Sequence, residues 1–184
     1  MNNNVGSAIA NIFAVVWAGI ALHAAQAPLW ALLAPALVSA TLFALKLRRP
    51  DQPRTAEARR RIGRLVAMAT AAEGLGIWLG ITLVVRAGRP DLWACVLAAA
   101  VGAHFLPLAR WIPAPRYYFT GTALMLSAAL GVVLPAETRD VVIGSLGAVI
   151  LWASAASTLM QAPVSPGRPE RHANCSGAAV ADEP

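Results

Sequence analysis

Apolar residues run almost without interruption from Val5 to Leu45, and no charged side chain appears before Lys46. A stretch of that length is about twice the roughly 20 residues that carry a helix across a bilayer, so it must fold back once. The break is placed at His23-Ala24-Ala25-Gln26-Ala27-Pro28, because proline is tolerated at a helix start and His and Gln prefer an interface to hydrocarbon. Spans over 5–24 and 28–47 follow. Beyond Lys46 the same pattern predicts spans over 65–85, 92–109, 117–135 and 141–161, each bounded by charge, proline or both. None alternates apolar and polar positions as barrel strands do, and backbone in lipid must satisfy its own hydrogen bonds. The expected fold is therefore all-α: a polytopic integral membrane helical bundle, six transmembrane helices as three hairpins, over 1–161. Residues 162–184 are expected to be a disordered cytoplasmic tail, since Pro163, Pro166, Gly167 and Pro169 stand among small and charged residues that cannot bury a core.

A cleaved signal peptide ending near Ala25-Gln26-Ala27 is the rival for the first span. The start, Met1-Asn2-Asn3-Asn4, lacks the basic residues of such a leader, and Pro28 would follow the cut.

Composition sharpens this picture. Of 184 residues, 58% are hydrophobic and 13% charged, against roughly 25% charged in an average soluble domain. A soluble core of this size cannot consume so much apolar sequence. The net charge of +6 would suit a nucleic-acid partner, but the bases sit in short clusters between apolar runs, without the aromatic and polar platform that nucleic acid needs. Lys46, Arg48, Arg49, Arg54, Arg59, Arg60, Arg61 and Arg64 form the main cluster, and Arg110, Arg116, Arg168 and Arg171 fall on the same side of the expected topology. Only Arg86, Arg89 and Arg139 fall on the other, so twelve of the fifteen Lys and Arg lie on one side. The positive-inside rule then makes both termini cytoplasmic. Trp30 and Trp93 would mark the outer interface, and Trp111, Tyr117 and Tyr118 the inner one. The basic cluster is topogenic, and it also attracts anionic lipid headgroups at about 1 kcal/mol per base. Asp91 and Asp140 precede return helices and are expected to cap them.

One carboxylate falls inside a span. Placing Glu73 near a bilayer centre costs about 2.5 to 3.5 kcal/mol on insertion scales, so it calls for a partner. It lies about 3 Å to the cytoplasmic side of the centre of span three, and His104 about 5 Å to the same side of the centre of span four, at 1.5 Å per residue. A carboxylate and an imidazole at one depth can share a proton, and equally can act as interhelical glue worth about 0.6 to 2 kcal/mol. Ala69, Gly76 and Gly80 share the helix face of Glu73 and are expected to pack inward. Gly121, Ser127 and Gly131 on span five, and Gly144, Gly147, Ser154 and Thr158 on span six, suit packing better than ligand binding. Pro107 is expected to kink span four beside His104. Cys95 and Cys175 lie in an apolar run and a polar tail, which disfavours a bridge between them. No catalytic set, metal site or cofactor motif is expected: one His and one Glu are too few for zinc, and no phosphate-cradling glycine loop occurs.

Gly102-Ala103-His104-Phe105-Leu106-Pro107-Leu108-Ala109, followed by Tyr117-Tyr118 and Gly121, resembles the signature G-x-H-F-x-P-L-A of a group of small, uncharacterised bacterial multi-pass membrane proteins. The likeness covers mainly spans three to five and implies a bacterial inner membrane, with His104 as the signature histidine. Fourteen Arg to one Lys agree with the coding bias of a GC-rich bacterium.

Three function classes are in play. A small transporter or permeation protein uses Glu73 and His104 as an intramembrane coupling pair, with room for a homo-oligomer to complete a pathway. A non-catalytic accessory, assembly or immunity-type membrane protein needs only the packed bundle and its basic face. A membrane enzyme comes third, for want of a catalytic constellation.

Overall fold

The structure, a computed structural model, describes residues 3–48, 55–112 and 115–160. Among these no strand occurs, and the helices are α1 (Asn3–Ala24), α2 (Leu33–Leu47), α3 (Ala56–Arg86), α4 (Trp93–Trp111), α5 (Arg116–Val133) and α6 (Ala136–Met160). Short 3-10 turns at Leu29–Leu32 and Pro90–Leu92 lead into α2 and α4. The first reversal falls at the predicted break, where Gln26 adopts a φ of 56° and Pro28 is extended. Arg49, Arg54, the side chain of Arg59, Cys175 and the tail over 162–184 lie outside the described residues.

Five stretches are long and apolar enough to cross a membrane: Ser7–Ala24, Leu29–Leu47, Ala56–Arg86, Pro90–Trp111 and Ala136–Met160. The expected span over 117–135 forms α5, which is not among them; its 18 residues open on Arg116, Tyr117 and Tyr118. Helix α5 buries Thr120, Gly121, Ser127 and Gly131, so much of its length serves close and weakly polar contacts with its neighbours. Helix α3 runs into its span from Ala56, where Thr55 caps it by accepting from the Ala58 N–H at 3.2 Å. The start of the last helix moves: α6 begins at Ala136, which places Asp140 inside it.

The most extensive contacts join α1 to α6 and α4 to α5; α2 packs mainly on α1, and α3 mainly on α4. Glycines set the close approaches. A Cβ at Gly102 would stand 2.8 Å from the Gly121 carbonyl oxygen, and one at Gly121 would stand 2.7 Å from that of Gly102. On the other side, a Cβ at Gly144 would meet the Ala21 nitrogen at 2.7 Å, and one at Gly147 the Trp17 ring at 2.6 Å. Trp17, Leu124, Ile143 and Leu151 fill the core between the two pairs. A second tie links three helices by side chains: the Trp152 indole donates to Ser39 Oγ at 2.9 Å, and Ser39 donates to the Asn11 carbonyl at 3.2 Å.

Large apolar side chains also stand on the outside: Leu37, Met68, Leu75, Trp78, Leu83 and Leu126 are all exposed, and exposed apolar faces mark membrane or protein contact.

Candidate functional site

Glu73 and His104 meet where α3 leans on α4. His104 Nδ1 lies 3.2 Å from Glu73 Oε2, and the two side chains are 10% and 12% exposed. The approach has the distance of an ion pair without the alignment of a hydrogen bond, so Nδ1 is left without a hydrogen-bond partner. Around the pair, the His104 ring meets Phe105 edge-on at 5.6 Å, Phe105 stacks on Tyr117 at 5.8 Å, and the Arg116 guanidinium sits 4.9 Å over the Tyr117 ring. A ladder of rings therefore runs from the imidazole to a cation at the start of α5.

The small residues that share the face of Glu73 do not all do the same work. Ala69 is buried, and Gly80 packs against Val96, whose methyl group stands where a Cβ would go. Gly76 is exposed, and a Cβ there would meet nothing within 4 Å. With 73 beside 104 and 80 beside 96, the helices are antiparallel and Gly76 falls level with Ala100, but it lies on the exposed face of α3 that Leu83 continues two turns on. Pro107 lies within α4, which continues through it to Trp111. Of the basic cluster, Lys46, Arg48, Arg60, Arg61 and Arg64 are described; Arg48, Arg60, Arg61 and Arg64 are exposed.

A second polar assembly, absent from the sequence reading, stands at the end of the molecule where the turns gather. Arg139 is only 3% exposed. Its guanidinium donates to the Gly131 carbonyl at 2.7 Å, the Leu134 carbonyl at 2.8 Å, the Asp91 carbonyl at 3.1 Å and the Asp91 carboxylate. Asp91 is gripped from its other side by both Arg89 nitrogens at 3.1 Å. Gly131 and Leu134 belong to the end of α5, whose last carbonyls have no helical donors, so one buried cation closes α5 and ties it to the approach to α4. Asp91 and Asp140 consequently do not cap helices. Asp140 accepts from the Trp93 indole at 3.1 Å, which turns Trp93 from an interface marker into an interhelical link. A cleft of about 550 Å³ beside it is lined by His23, Gln26, Trp93 and Asp140 with Val16 and Ile20. The tight turn at 135–140 holds Arg and Asp side by side, the one sequence signal that could have pointed here.

Cys95 is buried and free, close to Gly131. Among the described residues, no three of His, Cys, Asp and Glu are grouped to hold a metal ion. No protein-family model, curated protein or solved structure matches the chain.

Proposed function

We propose that the chain is a multi-pass protein of a bacterial inner membrane, its six helices arranged as three hairpins with both termini cytoplasmic, and that it conducts protons or a proton-coupled small solute through Glu73 and His104. The apolar outer faces and the five apolar stretches support the bilayer placement. The observation that carries the function is the 3.2 Å approach of an imidazole to a carboxylate, nearly out of solvent, on two different helices. Ionisable groups inside a membrane are costly, and coupling sites near the midplane are where they are worth that cost. One feature suits transfer better than glue: the pair lacks the aligned hydrogen bond that a structural tie would adopt. The ring ladder from His104 to Arg116 gives the imidazole a firm wall on its other side.

The test is voltage-driven acidification of liposomes carrying the purified protein and a trapped pH dye. Wild type is expected to exceed protein-free liposomes, and Glu73→Gln and His104→Gln each to lose about 100-fold, the lower end for removing a proton-transfer group. A flux equal to that of empty liposomes, or one unchanged in both variants while they reconstitute normally, overturns the reading.

A second reading, a non-catalytic accessory or assembly protein, is favoured by the slight burial of α3, which leaves Met68, Leu75, Trp78 and Leu83 uncovered. In that case Glu73 and His104 only fasten α3 to α4, and their loss lowers folded yield without a flux to change.

A further inference from the structure

The basic start of α3 carries a shallow, open groove of about 580 Å³ over Arg60, Gly63, Arg64 and Ala67, positions that share one face of the helix. The floor is kept low by glycine: a Cβ on Gly63 would meet nothing within 4 Å. Neither Arg60 nor Arg64 makes an ion pair or hydrogen bond among the described residues, although Glu57 stands one turn away. Two exposed guanidiniums at i and i+4 thus face one groove without a counter-ion. Helix α3 has 31 residues, or about 46 Å at 1.5 Å per residue, against about 30 Å of hydrocarbon. Its surplus is the charged start, so the groove straddles the level where headgroup gives way to acyl chain, with arginine at the wet end and alanine at the dry one.

We propose that this groove binds the phosphate of an anionic phospholipid, the two guanidinium forks holding its oxygens while the glycerol and upper acyl chain lie over Gly63 and Ala67. Arginine suits this role because its planar fork matches phosphate geometry. The apolar floor selects a lipid phosphate over a free one. The assignment rests on the bilayer placement proposed above; a chain that is soluble without detergent fails at purification, before any lipid preference is read.

Native mass spectrometry of the full chain in an uncharged detergent, titrated with equal amounts of phosphatidylglycerol and phosphatidylcholine, tests it. Wild type is expected to retain one phosphatidylglycerol with about 30-fold preference, the fold-change equivalent to about 1 kcal/mol from each of two bases. Arg60→Gln/Arg64→Gln is expected to fall to near parity. Gly63→Leu, which keeps both charges and fills the groove, is expected to lose most of the preference, and it covers the case in which the double variant fails to fold. Arg86→Gln/Arg110→Gln removes the same charge elsewhere and is expected to leave the preference intact. Equal loss in that control would make the attraction diffuse, and complete competition by millimolar inorganic phosphate would make the ligand a free anion; either result overturns the proposal, as does full retention in Gly63→Leu.

Discussion

Arg139 shows how one side chain can be misjudged from its neighbourhood in the chain. In a turn between Pro135 and Asp140 it reads as a solvated or topogenic base, yet it is buried and takes up carbonyls at the end of α5 together with Asp91. That role depends on which helix end the turn packs against, a tertiary fact with no local signature. Removing the guanidinium leaves the buried carbonyls it satisfied without a donor, at about 1 to 3 kcal/mol for each such group. Arg139→Gln is therefore expected to lower the thermal unfolding midpoint in detergent more than Arg89→Gln, whose guanidinium is half exposed. Equal shifts in the two variants would show that the buried bonds carry no special weight. Glu73 and His104 were legible for the opposite reason: each is a lone ionisable group in an apolar run, and fixing the turn between their helices fixes their depths. The misaligned contact and the exposure of Gly76 were not legible, since both depend on how α4 sits against α3.

At the scale of the element, helix existence followed from the apolar runs, while the quality of each helix depended on its place in the bundle. Helix α5 opens on Arg116, Tyr117 and Tyr118 and buries glycine and hydroxyl side chains against its neighbours α4 and α6. The glycines predicted to pack on α3 proved less important than Gly102, Gly121, Gly144 and Gly147, where backbone meets backbone or the Trp17 ring. Periodicity places a glycine on a face; it does not say how near the neighbouring backbone comes. Gly144→Leu is expected to cost at least about 1 to 3 kcal/mol by forcing α1 and α6 apart. Gly76→Ala is expected to be neutral, or stabilising by up to about 1 kcal/mol through helix propensity. Thermal midpoints of the two variants measured side by side check this contrast, and it fails if Gly76→Ala is the more damaging.

For the whole molecule, Arg139 bonds Asp91 and one cleft is lined by His23, Gln26, Trp93 and Asp140, so three of the connections lie at one end. A reporter active only outside the cytoplasm is expected to be silent when fused after Arg48 and active when fused after Gly88. The reverse pattern would invert the topology. The central claim is that water reaches the Glu73–His104 pair, and Ala69, buried one turn from Glu73 on the same face of α3, is where it can be asked. In a Cys95→Ala/Cys175→Ala background, Ala69→Cys in sealed membrane vesicles is treated with a small, charged, membrane-impermeant thiol reagent. Labelling from one side is expected, at a rate well above that of a cysteine replacing Leu83 on the exposed face of α3. An Ala69→Cys protein that folds and yet stays as unreactive as the Leu83 control would contradict it.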